Sequence, residues 1–208
     1  MPSLIRSRVR RTLPCRGSGR RRPSAGDAVR PQRSLRFGRL LRRDPMDEDG
    51  PFFEDFRVGA QVRSKVGRTV TETDNVWFTL LTGNANQIHF NEDYTRRTFP
   101  GEPFRGRRVV NGFLTIAIAA GLLVDVTSRN GFQVGLDNVR FSRPVFHGDT
   151  LYSEAEVTEV RESRSRPGFG LVKLRTRGLN ERGESVVEFD RVFMVRKKGE
   201  AWHGARAE

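Results

Sequence analysis

The sequence predicts one α+β domain in which an antiparallel sheet wraps a single apolar helix. Three observations carry this. The run Phe113 to Val124 is apolar for twelve residues except for Thr115, which is too short to span a bilayer and suits a buried core helix. Nearly everything after Phe132 alternates apolar and polar side chains with the period of a strand. Ahead of the apolar run lie only a short strand, a short helix and turn chemistry, so the sheet has one helix to cover.

Taken in order, Phe52 to Phe56 forms an entry segment and Gln61 to Val70 a strand. Thr71-Glu72-Thr73-Asp74 has the spacing of a capping box, and Val76, Trp77, Leu80 and Leu81 form an apolar stripe at helical spacing. That helix should stop near Gly83, because Gly83-Asn84-Ala85-Asn86 is turn chemistry. Residues 90–108, with Pro100, Gly101, Pro103 and Gly106, read as an irregular connection. The central helix is expected from Gly112 to about Thr127. Four strands follow, around Val139 and Phe141, from Leu151, from Leu171 to Leu179 and from Ser185 to Arg196. Asn180 to Gly183 makes a hairpin turn between the last two, and no internal repeat or heptad stands out.

The chain of 208 residues carries a formal charge of +13, but the charge is lopsided. Residues 1–45 hold fourteen Arg against Asp27 and Asp44, a net +12, whereas the remainder has 24 basic and 23 acidic residues. Basicity therefore says nothing about the substrate of the folded part. Residues 1–45 show no sustained hydrophobic period and read as a disordered, Arg-rich extension. Three explanations fit it: a start-site error with translation from Met46, an organellar transit peptide, or a basic arm for nucleic acid or a membrane surface. Cys15 is the only cysteine, so the domain, placed at 46–198 with a tail at 199–208, has no disulfide and no thiolate site. That suits the cytoplasm, or a mitochondrial matrix if the extension is a transit peptide.

The chemistry concentrates in T-G-N-A-N-Q-I-H-F-N at 82–91 and R-R-V-V-N-G-F-L-T at 107–115. The first places His89 in a polar turn, and the second opens the apolar helix at Asn111-Gly112. A helix start offers free N–H groups to a developing oxyanion, and an imidazole can move a proton. Taken alone, His89 fits a structural turn residue as well as a catalytic one, and Asn111-Gly112 fits a plain turn. Arg105, Arg107 and Arg108 fit either a solvated charge run or recognition of an anionic ligand group, since Arg makes bidentate, charge-assisted contacts. His147, in H-G-D-T, reads as a turn residue and His203 as part of the tail. Three scattered histidines give no metal-ligand spacing, so no metal is expected.

Together G-N-A-N-Q-I-H-F-N, V-V-N-G-F-L-T and R-P-V-F-H-G-D-T-L, in that order, resemble the MaoC-like branch of the hot-dog fold, which contains the (R)-specific enoyl-CoA hydratases. The stretch G-R-T-V-T-E-T-D-N-V-W-F-T-L-L-T at 67–82 is most similar to the mesaconyl-CoA and itaconyl-CoA hydratase type. The resemblance covers roughly Phe53 to Lys197. It implies dimers with active sites near the subunit interface, and reversible addition of water across the double bond of an enoyl-CoA, with no cofactor beyond the CoA of the substrate. It maps the family's catalytic histidine onto His89 and its aspartate onto Asn84, a carboxamide that cannot accept a proton at neutral pH. Asn111 stands where the family has a second histidine. The expected site is then His89 and Asn84 as the catalytic pair, Gly112 and Asn111 at the thioester oxygen, and Asn86, Arg105, Arg107 and Arg108 toward substrate or CoA. A hot-dog thioesterase and a non-catalytic acyl-CoA-binding protein remain rivals, and nucleic acid and membrane are not expected partners.

Overall fold

The computed structural model describes residues 50–200. The expectations for the extension at 1–45, for Cys15 and for His203 lie outside the described residues. Phe53–Asp55 forms a single 3₁₀ turn that delivers Phe56 into the core. The expected strand at 61–70 is two short strands, β1 (Gln61–Arg63) and β2 (Arg68–Thr69), both paired with a later long strand and separated by a turn.

Helix α1 (Glu72–Leu81) begins at the expected capping box. Thr71 Oγ1 accepts from Asp74 N–H at 3.1 Å, and the Asp74 carboxylate accepts from Thr71 N–H at 2.8 Å. Arg68 clamps the same carboxylate with two bonds of 2.8 and 3.0 Å, and this clamp holds its pKa well below the usual carboxylate range. The depressed carboxyl contributes stability above the ordinary aspartate pKa of about 4, and that contribution is lost as pH falls below it. Asp74→Ala should therefore cost about 1–2 kcal/mol near neutrality. It should also flatten the acid side of the stability profile, read as the urea midpoint against pH.

The apolar stripe of α1 does not face the core. Trp77 and Leu81 are 65 % and 78 % exposed, Leu80 is exposed with them, and the buried positions are Asn75 and Thr79. The fully buried positions of α1 are polar because those two side chains feed the hydrogen bonds of the candidate site, while Phe78 packs half-buried on the core. The connection at 90–108 also differs from expectation, since it contains helix α2 (Glu92–Thr98). Asn91 caps it, accepting from Tyr94 N–H at 3.0 Å. Acidic residues in its first turn pair with Arg96 and Arg97 in its last. It is held by capping and i,i+4 charges, so it has no hydrophobic period to read.

The central helix is shorter than expected: α3 (Gly112–Gly121), then a kink, then α4 (Val124–Thr127). The break turns Leu123 inward, where it is fully buried in a second core cluster with Val157, Val172 and Phe193. The four long strands fall where the alternation put them: β3 (Gly131–Phe141), β4 (Thr150–Glu162), β5 (Phe169–Leu179) and β6 (Ser185–Arg196). All pairs are antiparallel in the order β1-β4-β5-β6-β3, with β2 on β4. Strand β3 thus lies at the far edge beside β6 rather than next to β4.

Leu114, Ile116 and Ala119 of α3 pack with Leu151 of β4 and Val187 and Phe189 of β6. Close approach of helix to sheet depends on Gly178, where an added Cβ would sit 3.1 Å from that of Ala119 and 2.8 Å from Val187. The far end of α3 is held by a buried arginine. Arg191 donates to Ala120 O at 3.3 Å and to Gln133 Oε1 at 3.2 Å, and its guanidinium lies 4.5 Å from the Phe193 ring centre. Burial pushes its pKa down to about 10.

Candidate active site

The end of α1 and the polar turn after it form the first wall of the site. Gly83, at φ +66°, reverses the chain, and Asn84 N–H donates to Thr79 O at 3.0 Å. Asn84 Oδ1 accepts from Asn86 N–H at 2.9 Å, which leaves its amide NH₂ group free of partners among the described residues. Asn86 in turn caps the 3₁₀ turn Gln87–His89, accepting from Ile88 N–H at 3.3 Å. Asn86 is exposed and Asn84 half-buried.

His89 is 8 % exposed. Its Nδ1 lies 2.9 Å from Val109 O. A carbonyl only accepts, so Nδ1 carries a proton, and in the neutral ring Nε2 holds the free lone pair of a base. Val109 is in turn fastened by its N–H to Ile88 O at 3.1 Å.

The second wall is the start of α3. Asn111 is its N-cap: Oδ1 accepts from Phe113 N–H at 3.0 Å, and its backbone carbonyl accepts from Thr115 N–H at 3.0 Å. The Asn111 carboxamide is thus used in capping and, through Nδ2, in a 3.5 Å contact with Thr79 Oγ1. Gly112 N–H, at the first helical position, has no acceptor among the described residues. It is one of the orphan donors of a helix start. The Phe141 ring stands over Gly112 so closely that a Cβ there would lie 2.8 Å from it.

Sequence reasoning missed Asn75, which joins the two walls. Its side chain is fully buried. Nδ2 reaches His89 O at 2.8 Å and Val109 O at 3.1 Å, and Oδ1 accepts from Asn111 N–H at 2.8 Å. Nothing in the sequence marks Asn75, since it lies on the face of α1 opposite the apolar stripe. His147, expected as a turn residue, does sit in a turn, but its Nε2 also lies 3.1 Å from Asn75 Nδ2. Burial, followed by the charge of Arg108, lowers its pKa.

The three arginines are placed differently from one another. Arg108 is nearly buried and pairs with Glu72 at 2.6 Å and Glu92 at 3.5 Å, holding the Glu72 carboxyl below its usual range. Arg105 pairs with Glu102. Arg107 lies 4.1 Å over the Phe146 ring and has no carboxylate partner among the described residues. A surface cavity of about 430 Å³ lies elsewhere, among Asn138, Arg140, Arg175 and Asp190, and holds none of these groups. Position in the hydrogen-bond network, not cavity size, singles out the site around His89. Among the described residues, no three His, Cys, Asp or Glu side chains converge on one point, and no helix is long and apolar enough to cross a membrane.

The family model of the MaoC like domain matches residues 55–176, which include both walls. The chain belongs to the MaoC-like family. The MaoC-like chain is 32 % identical over 154 residues to the mesaconyl-CoA hydratase of Cereibacter sphaeroides, covering 73 % of this chain and 43 % of that protein. It therefore spans less than half the length of that relative. Among solved structures, the monoamine oxidase regulatory protein of Archaeoglobus fulgius is similar at 30 % identity and a TM-score of 0.61, covering 71 % of this chain and 95 % of that one. A Mycobacterium tuberculosis protein described as having a double hotdog fold aligns at 23 % identity and a TM-score of 0.64, over 75 % of this chain and 47 % of that one. The α+β architecture of the MaoC-like chain is accordingly a hot-dog fold.

Proposed function

We propose that this MaoC-like domain catalyses reversible hydration of an enoyl-CoA thioester. The observation that carries the reading is the state of His89: Nδ1–H is tied to Val109 O, so Nε2 is a base. The same network fixes the helix start at which Gly112 N–H is unpaired. In the forward step, His89 Nε2 takes a proton from water as the oxygen bonds to Cβ. The π electrons move to the thioester oxygen, where Gly112 N–H stabilises the enolate. The imidazolium then returns a proton to Cα on the same face. Asn84 does not serve as a base, but its amide N–H groups are available to orient the attacking water.

The substrate class we favour is a branched dicarboxylyl-CoA, supported by the likeness to a mesaconyl-CoA hydratase. Arg107 is the cation we assign to the substrate's second carboxylate, since Arg105 and Arg108 are engaged with Glu102 and Glu72. Arg107→Ala should raise KM for mesaconyl-CoA about tenfold or more while leaving crotonyl-CoA nearly unaffected. Equal losses on both substrates would remove that role. We further propose that a second hot-dog unit completes the site. Edge strand β3 exposes Val134, Leu136, Val139 and Phe141, a surface that a second copy of the chain would cover.

The deciding experiment follows enoyl-thioester absorbance with crotonyl-, mesaconyl- and itaconyl-CoA, with a thiol reagent in parallel. Loss of the band without thiol release supports hydration. Thiol release would make the protein a thioesterase, and binding without turnover a carrier of acyl-CoA.

A further inference from the structure

Asn75 carries more contacts than a neutral amide can satisfy independently. Nδ2 has two hydrogens but faces three acceptor positions: His89 O, Val109 O and His147 Nε2. Its Oδ1 is held by Asn111 N–H, which fixes the orientation of the amide. Turning it over would set NH₂ against N–H at Asn111 and a carbonyl against the two carbonyls of His89 and Val109. His147 can therefore stand beside Asn75 only with Nε2 unprotonated. A proton there would place one donor against another at the part-buried edge of the network, a loss of the same kind as leaving polar groups unpaired.

We propose that Asn75 is the positioning residue of the site, holding the His89 base and the start of α3 in one frame, and that protonation of His147 releases that frame. Val109 O is the shared point, accepting both from Asn75 Nδ2 and from His89 Nδ1. A shift of Asn75 is thus transmitted to the imidazole through one carbonyl and to Gly112 through Asn111.

The charged groups facing His147 come from three elements: Glu72 of α1, Glu92 of α2, and Arg107 and Arg108 ahead of α3. Burial and the two arginines favour neutral His147, and the two glutamates oppose them. With its folded pKa lowered, His147 keeps the frame intact above the ordinary imidazole range. The frame is lost as pH falls through the lowered value.

Only the kinetic part of this inference rests on the hydratase reading. The chain has three histidines, so imidazole ¹⁵N spectra of the full chain can be assigned with His→Gln variants. In the wild type, His89 should be locked with the proton on Nδ1. In Asn75→Leu that lock should be lost, giving a mixture of tautomers. The kcat of the same variant should fall about 10²-fold with KM little changed. Should Asn75→Leu fail to fold, His147→Gln gives a second test. Gln can accept from Asn75 at any pH, so acid should shift the Asn75 side-chain amide signal in a step present in the wild type and absent in His147→Gln. An unchanged His89 tautomer in Asn75→Leu, or identical acid responses in wild type and His147→Gln, would overturn the proposal. Absence of turnover alongside the expected spectra would instead sink the hydratase reading and leave the positioning role intact.

Discussion

Replacing His89 by alanine should lower kcat for hydration by about 10²–10⁴-fold, the range for removing a positioned acid–base group, with KM nearly unchanged. The substitution isolates the ring. Asn75 bonds the backbone carbonyl of residue 89, not its side chain, so the 3₁₀ turn keeps its anchor when the imidazole is removed. Val109 O loses one donor but keeps Asn75 Nδ2 at 3.1 Å, so no buried carbonyl is orphaned. Unfolding temperature should therefore move little while turnover collapses. His89→Gln is the companion variant. It can offer a hydrogen bond in the same volume but no base, and should be as inactive as alanine. Wild-type turnover in either variant would mean that another group moves the proton and that the Nε2 lone pair is incidental.

The elements that were legible in the sequence are those whose signal is local. The capping box at Thr71 and Asp74, the glycine stop at Gly83 and the alternation of β4, β5 and β6 each depend on neighbours within a few positions, and the structure places them as expected. What was not legible depends on partners far along the chain. Helix α2 lacks a hydrophobic face, because capping and ion pairs hold it. The direction in which α1 faces was not legible, because periodicity locates a stripe but not what lies opposite it: the Asn75 and Thr79 side chains point inward to reach residues 89, 109 and 111. The site shows the same division. His89, Asn84, Asn86, Asn111 and Gly112 stood out as turn and helix-start chemistry, whereas Asn75 acquires its meaning only when residues 14 to 72 positions away are brought against it.

The arginines follow from this. Three basic residues in four positions looked equivalent in the sequence, yet burial separates them. Arg108 is drawn in between Glu72 and Glu92, where a cation needs its partners. Arg107 remains over an aromatic ring at the surface, its charge available to a ligand. A spacing pattern can nominate such a cluster, but only packing divides it into members paired with carboxylates and one that is not.

Gly112→Pro should cost about 10²–10³-fold in kcat, the effect of losing one oxyanion donor, if Gly112 N–H is that donor. Proline is suited to this test because Gly112 is the first residue of α3, the helical position where proline is best tolerated and where the missing N–H breaks no helical bond. The preceding residue, Asn111, already has φ −56° and ψ 128°, an extended conformation that a following proline favours. The complication is Phe141, whose ring lies 2.8 Å from where a Cβ would be. Gly112→Ala supplies the control, since it adds the same Cβ but keeps the N–H. Crowding alone would make the two variants equally poor, and both would recover when Phe141 is cut back to alanine. A missing donor predicts otherwise: with Phe141→Ala in the background, Gly112→Ala regains turnover and Gly112→Pro does not. The difference between those two double variants measures the N–H itself, with the shape of the wall held nearly constant.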